Sequence, residues 1–224
     1  MSDRAPNREA RRGGPSFDAL VVDFGGVLTT PLQEAMVGFA EGMGIELQHV
    51  ARAALGGYMG SEDALVFDFE TGRISEEEFC SAFAGRLTEY SGTEVAPEGL
   101  VTRIFAGLRL EDAMFDAVAA ARAAGLKTGL LSNSWGTELY PHDRLAALFD
   151  VSVISGEVGL RKPEPAIFEL TTERLGVPAQ RCVFVDDHPG HLSAAAEAGM
   201  TTVLHHEPAR TIAELEELLG VALG

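Results

Sequence analysis

The sequence predicts an α/β fold: a doubly wound, Rossmann-like parallel sheet with a small α-helical insertion after its first strand. Two observations lead to this prediction. From residue 111 onward, short apolar runs alternate with helical segments, a pattern typical of right-handed βαβ units. Before that point, one apolar run at residues 19–22 is followed by a long stretch, residues 32–106, with helical patterns and no strong strand.

The length of 224 residues suits one large domain, or a core domain that carries an insertion. We expect the core to comprise residues 17–31 and 107–224, and the helical insertion to comprise residues 32–106. Residues 1–16 contain several arginines and no apolar segment, so we expect a disordered basic tail there.

The first strand is expected at residues 19–22, because a β-branched apolar run of this length is typical of a buried parallel strand. It ends at Asp23, and a turn of two glycines follows. Within the insertion, the clearest helix begins after Ser75. A serine at this position, with Glu78 three residues later, forms a capping-box pattern.

The remaining elements alternate regularly along the second half of the chain. An alanine-rich helix ends at Gly125, just before the second strand. Further strands are expected at residues 127–131, 151–154, 182–185 and 202–204. Further helices are expected at residues 144–149, 165–175, 191–199 and 212–219.

The composition argues against several classes of partner. Asp and Glu total 34 against 17 Lys and Arg, which gives a formal net charge of −17. Such a chain repels phosphodiester backbones and anionic lipids, so we expect no nucleic-acid and no membrane partner. No apolar stretch approaches the roughly 18 residues of a membrane span, and two cysteines, Cys80 and Cys182, are too few for a disulfide framework. We therefore expect a cytoplasmic protein.

Polar side chains stand directly after the apolar runs that are expected to be strands. Asp23 follows the first run, Ser132 and Asn133 follow the second, and Asp186 and Asp187 follow a later one. In a doubly wound sheet, ligands bind at the carboxyl ends of the strands. We therefore expect these side chains to meet in one cleft.

Lys162 is expected to join the same cleft from a proline-containing loop that precedes a helix. Clustered carboxylates favour a hard divalent cation, most plausibly Mg²⁺. The cation and Lys162 can neutralise phosphate oxygens, and Asp23 can then attack phosphorus to form an aspartyl-phosphate. This inventory of groups suits phosphoryl transfer to water, with a small phosphorylated metabolite as substrate.

The residues around these positions resemble the haloacid dehalogenase (HAD) superfamily, in particular its phosphatase-like members with a helical cap. The similarity covers residues 17–220 and extends to the N-terminal phosphatase domain of soluble epoxide hydrolases. Four motifs carry it, in the order and spacing of the superfamily: VVDFGGVLT, GLLSNS, GLRKPEPAIF and VFVDDHPGH. The resemblance also implies that the helical insertion is a cap.

The resemblance implies catalytic and substrate-binding roles. Asp23 would be the nucleophile, and Ser132 would form a hydrogen bond with the transferring phosphoryl group, with Asn133 nearby. Lys162 would bridge the nucleophile and the phosphate.

The resemblance also implies a Mg²⁺ site. Asp23 and Asp187 would bind the ion directly, and Asp186 would bind it directly or through water. The backbone carbonyl of Gly25 would supply a further ligand.

Two positions depart from the pattern of the superfamily. Its phosphatases usually place a second Asp two residues after the nucleophile, as the general acid and base, and here that residue is Gly25. Because such a group contributes about 10² to 10⁴-fold, we expect reduced activity. His191 stands where an Asn is usual.

Three histidines near the motifs are the candidate replacements for the missing acid. His142, His188 and His191 are each expected to be structural or to face solvent rather than to catalyse. Trp135 and Tyr140 are expected to pack or to line the cleft.

The leading interpretation is a Mg²⁺-dependent phosphomonoesterase. Two alternatives remain open. The first is a 2-haloacid dehalogenase, in which Asp23 attacks carbon. The second is a catalytically weak protein that binds a phosphorylated metabolite, which the glycine at position 25 keeps possible.

Overall fold

Five parallel strands form the centre of the protein, in a computed structural model that describes residues 17–55 and 64–224. The strands are β1 (Ala19–Val22), β2 (Lys127–Ser132), β3 (Val151–Ile154), β4 (Cys182–Asp186) and β5 (Thr201–Leu204). Their order in the sheet is β3-β2-β1-β4-β5, and every neighbouring pair is parallel. The predicted α/β fold class is confirmed. The predicted basic tail, residues 1–16, lies outside the described residues.

Helices cover both faces of the sheet and also form a separate segment after β1. The helices of this segment, which we call the helical segment, are α1 (Leu32–Met43), α2 (Leu47–Leu55), α3 (Leu65–Glu70), α4 (Glu76–Ser91) and α5 (Leu100–Ile104). The later helices are α6 (Asp112–Ala123), α7 (His142–Leu148), α8 (Ser155–Val158), α9 (Pro165–Leu175), α10 (Pro189–Glu197) and α11 (Pro208–Leu219). None of the described helices is long and apolar enough to span a bilayer.

The continuous apolar run of β1 follows from burial on both faces of the sheet. Leu20 and Val22 point to one face, in a cluster with residues of α6, α7 and α11. Ala19 and Val21 point to the other face, in a cluster with residues of α9 and α10. The central position of β1 therefore explains why this strand has no alternation of polar and apolar residues.

The helical segment has its own apolar cluster, to which α1 to α5 all contribute. The predicted capping box is confirmed: the backbone N–H of Glu78 donates to Ser75 Oγ at 3.2 Å, and the backbone N–H of Ser75 donates to Glu78 Oε2 at 2.8 Å. Within the described part of residues 32–106 there is no strand, as predicted.

Several helix boundaries differ from the predicted ones. α10 begins at Pro189 because His188 precedes it as N-cap, with its ring nitrogen accepting from the backbone N–H of Gly190. α11 likewise begins at a proline, Pro208, whose fixed φ suits the first helical position. The four-residue helix α8 was not predicted, because a single turn is too short to show a helical period.

The chain passes from the sheet to the helical segment near Thr29 and returns near Leu110, and these two points are adjacent. Thr29 and Leu110 form an antiparallel bridge, and the backbone N–H of Thr30 donates to the carbonyl of Arg109 at 2.8 Å. The backbone N–H of Glu111 also donates to the carbonyl of Leu28, at 2.9 Å. The two connections to the helical segment are thus hydrogen-bonded to each other.

Candidate active site

The predicted polar groups meet at the carboxyl edge of the sheet. Asp23 follows β1, Ser132 ends β2, and Asp186 ends β4. Because β1 lies between β2 and β4 and all three are parallel, their carboxyl ends are adjacent. β2 and β3 lie on one side of β1, and β4 and β5 lie on the other, so the strand order reverses beside β1. A doubly wound sheet opens a crevice for ligands at such a reversal.

Three carboxylates form a cluster in this crevice. Asp23, Asp186 and Asp187 each offer an oxygen, and these oxygens all lie within 4.8 Å of one another. Asp23 and Asp186 are buried, whereas Asp187 is exposed and leaves the cluster accessible. Gly26 makes room for it: a Cβ at this position would lie 2.2 Å from Asp187 Oδ2, and its φ of +76° also favours glycine.

Lys162 balances part of this negative charge. Its Nζ lies 2.9 Å from Asp23 Oδ1 and 2.6 Å from Asp186 Oδ2, and the residue is fully buried. Burial alone would lower the pKa of Lys162, but Asp23 and Asp186 outweigh it and raise the pKa above its usual value. The side chain is therefore a fixed ammonium between two carboxylates.

One ammonium does not neutralise three carboxylates. Burial raises the pKa of Asp23 to about 8, with Asp186 and Asp187 adding to the effect and Lys162 opposing it. Burial and the charge of Asp186 likewise raise the pKa of Asp187. Hard oxygen donors that converge on an accessible point, with too little positive charge around them, fit a divalent cation such as Mg²⁺.

Asp186 has further partners besides Lys162. Its Oδ1 accepts from the backbone N–H of His188 at 2.8 Å and lies 3.1 Å from His191 Nδ1. Burial lowers the pKa of His191, and Asp186 opposes this shift. Among the histidines considered from the sequence, His191 therefore contacts the carboxylate cluster, while His188 caps α10 and His142 begins α7.

The amide of Asn133 is bonded to the backbone of Lys162. Its Oδ1 accepts from the Lys162 N–H at 2.8 Å, and its Nδ2 donates to the Lys162 carbonyl at 3.0 Å. The side chain therefore fixes the loop that carries the ammonium. The substrate-binding role expected for Asn133, near the transferring phosphoryl group, stays a prediction.

Ser132 is buried and lies beside Tyr140. The two hydroxyl oxygens are 2.9 Å apart, and the Tyr140 ring packs on Phe24 with a centroid distance of 4.7 Å. Burial raises the pKa of Tyr140 above its usual value, so the phenol keeps its proton. Sequence reasoning identified Tyr140 as a lining residue but not as the hydrogen-bond partner of Ser132.

A small pocket adjoins Ser132 and lies between the sheet edge and the helical segment. Its free volume is about 30 Å³, which is room for water but not for an organic group. Its lining is mostly apolar and comprises Phe24, Gly25, Leu32, Phe105, Leu108, Ser132, Asn133, Trp135, Gly136, Leu139 and Tyr140. A Cβ at Gly25 would lie 3.0 to 3.3 Å from carbons of the Leu32 side chain, so Leu32 already occupies the adjoining space.

The helical segment also contacts the loop that precedes Lys162. Glu70 of α3 forms a buried ion pair with Arg161, with Oε2 and Nε 3.0 Å apart. The Ser155 hydroxyl donates to the Glu70 carbonyl, and a Cβ at Gly72 would lie 2.4 Å from the carbonyl oxygen of Gly156. Close backbone packing and a buried ion pair thus join α3 to the sheet domain beside the site.

Comparisons with known proteins agree with this arrangement. A family model for haloacid dehalogenase-like hydrolases matches residues 17–199. A protein of Mycobacterium tuberculosis named as a phosphatase is 31% identical over 197 residues, which cover 84% of this chain and 87% of the relative. The predicted family resemblance is confirmed.

Two longer animal proteins also match. Mouse acyl-CoA dehydrogenase family member 10 is 31% identical over 226 residues, which cover 96% of this chain and 20% of that protein. Rat bifunctional epoxide hydrolase 2 is 32% identical over 114 residues, which cover 48% of this chain and 21% of that protein. The chain therefore spans about a fifth of the length of these two relatives.

Solved structures share the fold. A structure described as a predicted HAD-like family hydrolase from Porphyromonas gingivalis has a TM-score of 0.67 and 25% identity, over 91% of this chain and 98% of that one. A HAD family enzyme from Bacteroides thetaiotaomicron, solved in complex with magnesium and inorganic phosphate, has a TM-score of 0.62 and 22% identity, over 85% of this chain and 95% of that one.

Proposed function

Because the chain belongs to the haloacid dehalogenase-like hydrolases, we propose that it is a Mg²⁺-dependent phosphomonoesterase acting on a small phosphorylated metabolite, with Asp23 as nucleophile. One observation carries the proposal. The buried ammonium of Lys162 lies within hydrogen-bond distance of both Asp23 and Asp186, at the edge of the sheet where a third carboxylate, Asp187, also converges. The relative named as a phosphatase and the structural neighbour with magnesium and phosphate support it.

Each group has a chemical task in this proposal. A carboxylate oxygen of Asp23 attacks phosphorus and forms an aspartyl-phosphate, which divides the hydrolysis into two easier steps. Lys162 stays within reach of Asp23 and stabilises negative charge on the phosphoryl oxygens. The Ser132 hydroxyl, held by Tyr140, donates to one of those oxygens. Water then attacks phosphorus and releases phosphate and the free Asp23 carboxylate.

Asp23, Asp186 and Asp187 would hold the magnesium ion, and the Gly25 carbonyl remains the proposed fourth ligand. When bound, Mg²⁺ would supply positive charge that keeps the buried Asp23 ionised and draws phosphate oxygens toward the site. The raised pKa of Asp23 is the feature of this chain that calls for such a charge.

We propose that the helical segment acts as a cap over the site, with residues 32–106 as cap and residues 17–31 and 107–224 as core. Leu32, Phe105 and Leu108 contribute one side of the pocket beside Ser132. Because the pocket of about 30 Å³ is too small for an organic group, the cap would move for substrate to enter and would exclude water once closed.

The hydrolysis of p-nitrophenyl phosphate with and without Mg²⁺ tests the proposal. We expect Mg²⁺-dependent turnover that is lost in Asp23→Asn, a variant of nearly the same size. Tight binding of phosphate or a phosphorylated compound without turnover would favour the alternative of a binding protein, for which the glycine at position 25 is the specific argument. Halide release from a 2-haloacid without metal would favour the dehalogenase alternative.

A further inference from the structure

We propose that the substrate carries its phosphoryl group on a weakly basic oxygen, as in an acyl or aryl phosphate with an apolar body. The inference rests on the proposed function and narrows its substrate class. It follows from two features of the pocket: the position of Leu32 beside Gly25, and the scarcity of ionisable groups among the described residues of the lining.

The proposal places the leaving group in this pocket once the helical segment has moved to admit the substrate. In an in-line displacement, the leaving oxygen departs on the side of phosphorus opposite the attacking Asp23 oxygen. Ser132 borders this pocket and is also the proposed contact of the phosphoryl group. The side chains that face the pocket from the helical segment and the following loops include Leu32, Phe105 and Trp135, which are apolar.

An alkoxide leaving group needs a proton, and the donor has to come within about 2.6 to 3.2 Å of the departing oxygen. Among the pocket-lining residues that the structure describes, Tyr140 is the only ionisable one. Its hydroxyl is hydrogen-bonded to Ser132 at 2.9 Å, and burial raises its pKa, which makes it a poor acid. Lys162 is bonded to Asp23 and Asp186 instead of facing this space.

The space beside Gly25 is filled by hydrocarbon. A side chain at this position would begin within 3.0 to 3.3 Å of the Leu32 carbons. Leu32 is the first residue of α1 and packs with the apolar cluster of the helical segment. Leu32 therefore lies tightly against the place that the Cβ of any side chain at position 25 would take.

The chemistry balances without an acid when the leaving group is a weak base. In the first step, the bond between Asp23 Oδ and phosphorus forms while the P–O bond to the leaving group breaks. Its electron pair stays on a carboxylate or phenolate, whose conjugate acids have pKa values of about 4 and about 10. In the second step, water attacks phosphorus, its proton passes to a phosphate oxygen, and the electron pair returns to the Asp23 carboxylate.

The test is the dependence of kcat/KM on leaving-group pKa, which reports the step that breaks this bond. The probes are aryl phosphates of graded phenol pKa, one simple alkyl phosphate and acetyl phosphate, each with Mg²⁺. We expect kcat/KM to fall about fivefold or more for each unit of leaving-group pKa, and acetyl phosphate to exceed the alkyl phosphate by at least about 10³-fold. Asp23→Asn corrects for spontaneous hydrolysis.

A matched pair of variants tests the structural cause. Gly25→Asp combined with Leu32→Ala adds a carboxyl group and the space for it. We expect the ratio of kcat/KM on the alkyl phosphate to kcat/KM on acetyl phosphate to rise by about 10²-fold. Gly25→Asn with Leu32→Ala has the same shape without the acid, and we expect no such gain. Thermal unfolding checks that both variants fold.

If these variants do not fold, a second measurement on the wild-type protein tests whether the leaving oxygen departs without a proton. An ¹⁸O isotope effect at the leaving oxygen is expected to be large, because that oxygen departs unprotonated. A small isotope effect, or alkyl phosphate hydrolysis within about tenfold of the best aryl phosphate, would overturn the inference and leave the phosphatase proposal standing. Absence of Asp23-dependent hydrolysis of every probe would overturn both.

Discussion

Among single residues, Asn133 has the clearest effect on another residue's position, because both hydrogen bonds of its amide go to the backbone of Lys162. Asn133→Ala removes both bonds and frees the loop that carries the ammonium. We expect kcat for p-nitrophenyl phosphate to fall about tenfold or more, since a misplaced catalytic group loses its interaction in the transition state. Steady-state kinetics measure this.

The control for this variant is Thr172→Ala in α9. It removes a hydroxyl that donates to the Glu169 carbonyl at 2.9 Å, away from the site. We expect kcat to stay at the wild-type value. An equal loss of kcat in both variants would mean that Asn133 acts only through general stability.

Tyr140 supports Ser132 in a similar way. Tyr140→Phe keeps the ring on Phe24 but removes the hydroxyl that lies 2.9 Å from Ser132 Oγ. We expect kcat/KM to fall about fivefold to tenfold, which corresponds to the loss of one ordinary hydrogen bond. Tyr90→Phe, in the helical segment, removes the same atom elsewhere and should leave kcat/KM unchanged. Unchanged kinetics for Tyr140→Phe would assign the residue a packing role only.

The polar groups at the strand ends could be singled out from the sequence, whereas the contacts that they make through tertiary packing could not, for a physical reason. Asp23, Ser132 and Asp186 are recognisable because each directly follows a buried strand, and parallel strands bring their ends together. The contacts of Tyr140 with Ser132 and of Leu32 with Gly25 join parts of the chain through tertiary packing, and no local pattern marks them.

Among the elements, α3 is joined most specifically to the sheet domain, through the buried ion pair of Glu70 and Arg161. Glu70→Gln removes the carboxylate charge that lies 3.0 Å from the buried Arg161 guanidinium. We expect the free energy of unfolding to fall by about 3 kcal/mol, as is usual when one partner of a buried pair is removed. Chemical denaturation measures the change.

A matched control lies on the same helix. Asp68 pairs with Arg73 at 3.3 Å, and the Arg73 side chain is 57% exposed. Because exposed ion pairs contribute little, we expect Asp68→Asn to change the free energy of unfolding by less than about 1 kcal/mol. Similar values for Glu70→Gln and Asp68→Asn would show that burial of the Glu70 pair does not matter.

Strands that are buried on both faces could be predicted from the sequence more readily than the ends of helices. The central strands were predictable because burial on both faces requires an unbroken apolar run, as in β1 and β4. The start of α10 could not be predicted in this way. His188 caps this helix with a ring nitrogen, and histidine is a less common N-cap than Ser or Asp.

For the whole molecule, the formal net charge of −17 acts on every anionic substrate that approaches. Added salt screens this repulsion over about 10 Å at 0.1 M. We expect kcat/KM for a phosphate monoester to rise about twofold to fivefold when KCl is raised from about 20 to about 200 mM, with kcat nearly constant. A fall in kcat/KM would mean that the positive charge at the site outweighs the acidic surface at a distance.

The two hydrogen-bonded connections near Thr29 and Leu110 have a consequence for how such a protein can diversify. When the chain leaves the sheet and returns beside its point of departure, the residues between these points form an insertion with adjacent ends. Such an insertion can become longer or shorter, or be exchanged, without a change in the fold around the sheet. Under the proposed function, the reacting groups lie at the ends of strands, whereas Leu32, Phe105 and Leu108 of the adjoining pocket come from this insertion. Reaction chemistry and choice of substrate can therefore be inherited separately.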